Sequence, residues 1–256
     1  MMKGLEQVST AVTSCKICGG EARLFGVVDF AKSCEELRGK WLPLSGIPVY
    51  YRRCQICGFL FTDAFDTWSE ADFMANIYNA EYIEVDPEYK EVRPNNNASL
   101  VQQFFGARMT ELRVLDYGGG SGELCAKLRA AGFSDAQTFD PFVVDFARRP
   151  AGTFDLITCF EALEHMPDPM AGIASILSSM KETGLVLFST LLQDSEFERL
   201  GVNWWYVGPR NGHISVFSRG ALVSAWQHYG CKTMSFNNNL HVAFRTLPKF
   251  AWHLLK

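Results

Sequence analysis

The chain has 256 residues, 48% hydrophobic and 20% charged, a profile that suits a globular protein with enough length for a large core. Its 24 Lys and Arg against 28 Asp and Glu leave a net charge of −4, which disfavours nucleic acid as a partner. No run approaches the ~18 apolar residues of a bilayer span, and the opening MMKGLEQVSTAVTSC lacks the apolar stretch of a secretion signal, so a cytoplasmic protein without membrane association is expected.

Four of the eight cysteines form two knuckles, Cys15-Lys-Ile-Cys18-Gly and Cys54-Gln-Ile-Cys57-Gly. A CxxC turn holds two thiolates on one side of a tight loop, and the following Gly gives the backbone room to turn. Two such knuckles complete a tetrahedral four-sulfur site, which zinc accepts with no open position. Two disulfides or a redox pair are the alternatives, but repeated CxxCG knuckles have few other uses inside a cell. Residues 1–62 are therefore expected to be a small zinc-ribbon-like module, its metal structural and replacing part of a core.

Residues 63–110 read as a polar and aromatic helical bridge. Phe73, Ile77 and Tyr78 recur at helical spacing, Pro94-Asn95-Asn96-Asn97 reads as a turn, and a helical pattern resumes over 99–110. Residues 111–256 alternate strand and helix. Strands are expected at 113–117, 136–140, 154–160 and 184–190, helices at 123–131, 169–180 and 219–229, and a closing pair of strands over 234–245. That alternation implies an α/β fold with a mostly parallel sheet covered on both faces.

The segment Leu115-Asp116-Tyr117-Gly118-Gly119-Gly120-Ser121-Gly122-Glu123 is a strand, a glycine turn and a helix start. Such a loop lets a ligand lie on bare backbone over the carboxyl edge of the sheet. Its spacing is GxGxG after an acidic residue. A dinucleotide fingerprint would need glycine where Glu123 stands. The segment resembles motif I of the class I S-adenosylmethionine (SAM)-dependent methyltransferases, written (V/I/L)LDxGxGxG. Three further stretches match that family in order: Thr138-Phe-Asp140-Pro, Phe154-Asp-Leu-Ile-Thr-Cys-Phe160-Glu-Ala-Leu-Glu-His165-Met-Pro-Asp-Pro169, and Gly184-Leu-Val-Leu-Phe-Ser-Thr190. The resemblance covers about residues 112–247. It implies a Rossmann-like, seven-stranded methyltransferase sheet that binds SAM through Asp116, Gly118, Gly120, Gly122 and Phe160. Asp140 would hold the ribose, since a carboxylate has two acceptor oxygens for a vicinal diol. Only 13 residues separate Asp140 from Phe154, where the family fits a helix and a third strand. A missing or vestigial third strand is expected, with Phe142 and Phe146 as candidates to flank the adenine. A cysteine module ahead of such a domain resembles a group of bacterial methyltransferases, some of which modify nucleotide-linked sugars. In that group the bridge tyrosines, here Tyr78 and Tyr82, close over the cofactor.

Glu161, Glu164 and His165 stand at i, i+3 and i+4, so on a helical turn they share one face. His213 lies in the loop after the 184–190 strand, which ends on the same sheet edge. Two mechanisms compete. Either His165 or His213 is a general base, or all four residues bind Mg²⁺ or Mn²⁺. The second set resembles that of small-RNA 2′-O-methyltransferases and of quinone-biosynthesis O-methyltransferases. In the aromatic loop, Trp204, Trp205 and Tyr206 offer flat faces, and Arg210 is a candidate to pair with a phosphate. The expected function is methyl transfer to a small acceptor, a sugar or nucleotide-linked sugar. RNA ribose methylation and a non-catalytic SAM-binding protein with a zinc interaction platform are the alternatives.

Overall fold

The computed structural model describes residues 12–255, and most of the N-terminal stretch read above for a secretion signal lies outside them. The chain opens with four strands, β1 (Thr13–Ser14), β2 (Glu21–Asp29), β3 (Pro48–Cys54) and β4 (Leu60–Phe61). Three helices follow, α1 (Glu70–Asn76), α2 (Tyr82–Val85) and α3 (Val92–Phe105). The alternating part runs β5 (Arg113–Tyr117), α4 (Glu123–Ala130), β6 (Asp135–Phe139), β7 (Phe154–Phe160), α5 (Pro169–Ser178), β8 (Met180–Ser189), α6 (Ser195–Leu200), β9 (Ser215–Val216), α7 (Arg219–His228), β10 (Lys232–Ser235) and β11 (Leu240–Phe244).

Helix starts follow local chemistry. Ser69 and Asp72 make a reciprocal capping box at α1. Asp168 caps α5, with Pro169 in the first turn, where its missing N–H costs nothing. Ser218 caps α7 through Ala221 N. The expected turn at Pro94-Asn-Asn-Asn is instead the beginning of α3. Proline is tolerated in a first turn because that N–H has no intrahelical partner, so the helix starts at Val92.

Two sheets form. The larger has the order β10-β11-β8-β7-β5-β6, with β8, β7, β5 and β6 parallel and the β10–β11 pair antiparallel at one edge. It has six strands. Residues 141–153 carry a short 3₁₀ turn at 144–146 and no strand, as their shortness suggested. Successive residues of β5 serve opposite faces. Val114 joins the apolar cluster under α3 and α4, while Leu115 joins the cluster under α5 and α7.

The second sheet is antiparallel, in the order β1-β2-β3-β4-β9. Its last strand comes from residues 215–216, far along the chain, and Leu60 pairs with Val216. The cysteine region packs into the same core as α5 and α7: Cys15, Ile17, Cys54, Phe59 and Phe61 share a cluster with Phe188, Leu222 and Trp226.

Candidate active site

Gly118, Asp140, Glu161 and Thr190 are the first residues past the ends of β5, β6, β7 and β8. Those four strands run parallel, so the four residues share one sheet edge. Gly118, Gly120 and Gly122 all have left-handed φ, at 74°, 54° and 79°, a region that glycine enters without strain. A Cβ on Gly119 would lie 2.3 Å from Asp116 Oδ2, so the loop sits directly on that carboxyl. A Cβ on Gly120 would meet no heavy atom within 4 Å, so the loop presents bare backbone to open space there. Asp140 shapes the same cradle. Its Oδ2 accepts from Gly120 N and its Oδ1 from Phe142 N, both at 2.8 Å. A carboxylate accepts about four hydrogen bonds, so two acceptor positions remain.

Asp116 is buried, and Thr158 Oγ1 donates to it at 2.7 Å. Burial pushes its carboxyl up to about 7, against 3.8 for a free side chain. The folded protein then keeps this proton through a range where the unfolded chain has lost it. Stability therefore falls as pH rises from about 4 to about 7. Asp116→Asn keeps an oxygen for Thr158 and removes the titration. Its melting temperature, relative to the parent without ligand, is expected to rise between about pH 5 and pH 7.5. A melting difference that does not change with pH would contradict the assignment.

The two candidate adenine flanks separate. The Phe146 ring covers Gly122, where an added Cβ would come within 2.6 Å of it. Phe142 turns towards the bridge and packs 5.1 Å from Tyr78 and 6.0 Å from Phe73, ring centre to ring centre. Tyr78 therefore lies between Phe142 and His165, whose ring centre is 6.2 Å away. Tyr82 is buried edge-on to Tyr78, with its hydroxyl 3.3 Å from Asp86 Oδ2. Phe160 ends β7 and lines a cavity of about 540 Å³.

Glu161 departs from the expected helical face. It is the one non-glycine residue with left-handed φ (48°) among the described residues, and the 3₁₀ turn begins only at Leu163. Such strain persists only where surrounding contacts enforce it. Here Glu161 N donates to the neighbouring strand and not within a helix, reaching Ser189 O at 3.3 Å. It also donates to Ser189 Oγ at 2.9 Å, and that hydroxyl donates on to Glu161 Oε1 at 2.6 Å. The side chain lines the 540 Å³ cavity. Glu164, His165 and His213 instead converge on one another, each offering a ligand atom within 4.8 Å of the others. Glu164 is fully buried. Its Oε1 accepts from Tyr206 OH at 2.6 Å and its Oε2 has no partner. His165 Nδ1 is likewise buried without a partner. His213 Nδ1 lies 2.9 Å from the Tyr206 carbonyl, which leaves Nε2 as its free nitrogen. Burial raises Glu164 to about 8 and lowers both histidines.

The cavity is also lined by Arg93, Asn96, Asn97 and Asn239, with Leu191, Trp205 and Tyr206. Sequence reasoning passed these polar residues over as turn and loop residues. The cluster of asparagines where a helix begins was the available signal. Arg210, expected to be free for a phosphate, is buried and committed. It donates to the Ile77 carbonyl at 3.0 Å and to Asn79 Oδ1 at 3.1 Å. Trp204 is core, fully buried beside Phe197 and Tyr206, and offers no open face.

The four knuckle sulfurs also lie within 4.8 Å of one another, with Cys15 Sγ 3.6 Å from Cys57 Sγ and Cys18 Sγ 3.5 Å from Cys54 Sγ. Four ligands at ~2.3 Å around zinc stand about 3.8 Å apart, so this donor set fits a tetrahedral zinc.

Residues 89–235, more than half of the chain, match the family described as "Methyltransferase domain". Among curated proteins, the ubiquinone biosynthesis O-methyltransferase of Aromatoleum aromaticum is 32% identical over 127 residues, 41% of this chain and 54% of that protein. The corresponding enzyme of Vibrio campbellii is 49% identical over 49 residues, 19% of this chain and 21% of that protein. The chain thus spans about half the length of the first of these and less of the second. Among solved structures, the amino pentose methyltransferase CalS10 of Micromonospora echinaspora, with SAM bound, aligns with a TM-score of 0.44 and 16% identity over 67% of this chain and 99% of that one. Magnesium protoporphyrin IX methyltransferase of Synechocystis PCC 6803, with bound SAH, gives 0.44 and 15% over 60% and 82%. On the strength of the matched domain, the chain belongs to the methyltransferase domain family.

Proposed function

We propose that the protein transfers the methyl group of SAM to a hydroxyl of a small saccharide acceptor. The supporting observation is a juxtaposition at one sheet edge. The cradle of Gly118, Gly120, Gly122 and Asp140 stands beside a 540 Å³ cavity that Glu161 enters from the next strand. In this reading Asp116 and the glycines hold the methionine part of SAM, Asp140 holds the ribose, and Tyr78, Tyr82 and Phe160 enclose it. Glu161 orients the acceptor hydroxyl through its second carboxylate oxygen, since Ser189 holds the first. Asn96, Asn97 and Asn239 suit a polyol, because each carboxamide both donates and accepts, as each sugar hydroxyl does. Trp205 offers the flat apolar face that covers a ring. Four cysteines, Cys15, Cys18, Cys54 and Cys57, hold a structural zinc. Residues 1–62, 63–110 and 111–256 serve as zinc module, cofactor lid and methyltransferase domain.

A second reading adds a divalent cation at Glu164, His165 and His213. The unpartnered Glu164 Oε2 and His165 Nδ1 favour it, because buried polar atoms are otherwise satisfied. Mg²⁺ or Mn²⁺ bound there would polarise the acceptor oxygen.

The acceptor class is tested by following S-adenosylhomocysteine release with free sugars, nucleotide-linked sugars and ortho-diphenols. Turnover is expected with saccharides. Asn97→Leu and Asn239→Leu should each raise the acceptor KM roughly 2- to 10-fold, the effect of one lost neutral hydrogen bond, with SAM affinity unchanged. Turnover confined to the diphenols would overturn the saccharide assignment.

A further inference from the structure

Several segments from the cysteine region reach across to the turn that carries His165 and to the loop that carries His213. Lys16 stands inside the first knuckle, directly after Cys15. Its ammonium has three N–H donors and three oxygen partners: the Thr62 carbonyl at 3.1 Å, the Pro167 carbonyl at 2.9 Å, and Asp66 Oδ1. The side chain is only 15% exposed, and its charge lies 5.4 Å from the centre of the Phe61 ring. Pro167 is two residues past His165. The neighbouring carbonyls are held by residues just past His213. Ser215 Oγ donates to Met166 O at 2.7 Å, and Ile214 N donates to Glu164 O at 2.9 Å. The His213 carbonyl accepts from Tyr51 OH, three residues before Cys54, at 2.7 Å.

We infer that Lys16 is a positioning residue, which ties the cysteine knuckle directly to the His165 turn and, through Thr62, whose N–H donates to Ile214 O at 3.1 Å, to the His213 loop. A mostly covered ammonium with all three protons placed is held in one orientation, because each contact is a charge-assisted hydrogen bond. The geometry of His165 relative to His213, whose ring centres stand 4.9 Å apart, therefore depends on the knuckle being closed. The SAM cradle has no such tie. Its loop is held by Asp140 and Phe139, rests on Asp116 and is covered by Phe146. The inference takes from the second reading above only that the two histidines act on the acceptor, and its test does not need the acceptor.

The test uses the full-length, zinc-loaded protein with ¹⁵N-labelled histidine. The chain has five histidines, and exposed His228 and His253 serve as internal references. Lys16→Met, which keeps the bulk and removes all three donors, is expected to shift or broaden the ring signals of His165 and His213. His228, His241 and His253 should stay in place. Zinc should remain close to one per chain, and titrated SAM affinity should stay within about twofold. Lys16→Arg restores donors and should return both signals toward the parent positions. With an active acceptor, Lys16→Met should lower kcat about tenfold at unchanged KM for SAM, the scale of a modest misplacement of reacting groups. Should Lys16→Met fail to fold, Ser215→Ala, which frees only the Met166 carbonyl, carries the same expectation for His165. Histidine spectra identical to the parent's would overturn the inference. So would shifts spread over all five histidines together with loss of zinc, since Lys16 would then serve the fold at large.

Discussion

Gly120→Val is expected to remove measurable SAM binding, and Asp140→Ala to weaken it by about 1.5–3 kcal/mol, the range for hydrogen bonds to a charged group. The two effects have different physical origins. At Gly120 the backbone φ of 54° is costly for any side chain and most costly for a β-branched one. Its Cβ would also project into the open space above the loop, where no described residue beyond its chain neighbours lies within 4 Å. A valine there loses twice, through loop strain and through the volume taken from the ligand. Asp140 acts through its charge and its two oxygens. Each oxygen accepts one backbone N–H, from Gly120 and from Phe142, and each retains one position for a ribose hydroxyl. Asp140→Asn keeps one acceptor oxygen and is expected to fall between the parent and the alanine variant. Calorimetric SAM titrations beside thermal unfolding separate binding from folding. Parent-like titrations for both Gly120→Val and Asp140→Ala would refute the cradle.

The sheet strands that carry this cradle were legible in the sequence because their signals are local. A short apolar run followed at once by glycines has one sterically open solution, and α5 and α7 announce themselves through Asp168-Pro169 and Ser218. What stayed hidden depends on partners distant in sequence. Glu161 reads as helical by spacing, yet Ser189, from the neighbouring strand, holds its backbone in a left-handed conformation. Arg210 reads as free, yet the turn after α1 supplies its acceptors, the Ile77 carbonyl and Asn79. Strand β9 is two residues long, too short for any periodicity, and exists because β4 offers it an edge. Pro94 was misread for a different reason. Proline is both a turn residue and a first-turn helix residue, and composition alone does not choose between them.

Glu164, His165 and His213 are expected to behave as a unit, with Glu161 acting apart from them. Glu164 Oε2 and His165 Nδ1 are buried and unpartnered. The Tyr206 carbonyl holds His213 Nδ1, the second contact that fixes a ligating imidazole with its other nitrogen free. The Tyr206 hydroxyl meanwhile secures Glu164 Oε1. One residue thus orients two of the three groups. If these atoms hold Mg²⁺ or Mn²⁺, zinc-loaded protein should take up one Mn²⁺ per chain in a spin-resonance titration. Glu164→Gln, His165→Ala and His213→Ala should each abolish that uptake, while Glu161→Gln should retain it. EDTA should stop turnover and Mn²⁺ should restore it, with the four-sulfur zinc exchanging more slowly. The rate losses of the three single variants should not add, because removing one ligand already empties the site. A histidine base leads to a different pattern. EDTA would then do little, and one histidine substitution would cost about 10²–10⁴ in rate on its own. In either case Glu161→Gln should raise the acceptor KM and leave SAM affinity unchanged, since its side chain enters the acceptor cavity and not the glycine cradle. Full methyl transfer after loss of both His165 and His213 would defeat both versions. Catalysis would then rest on Glu161 and the cavity walls, which would hold the acceptor oxygen in line with the methyl–sulfur bond.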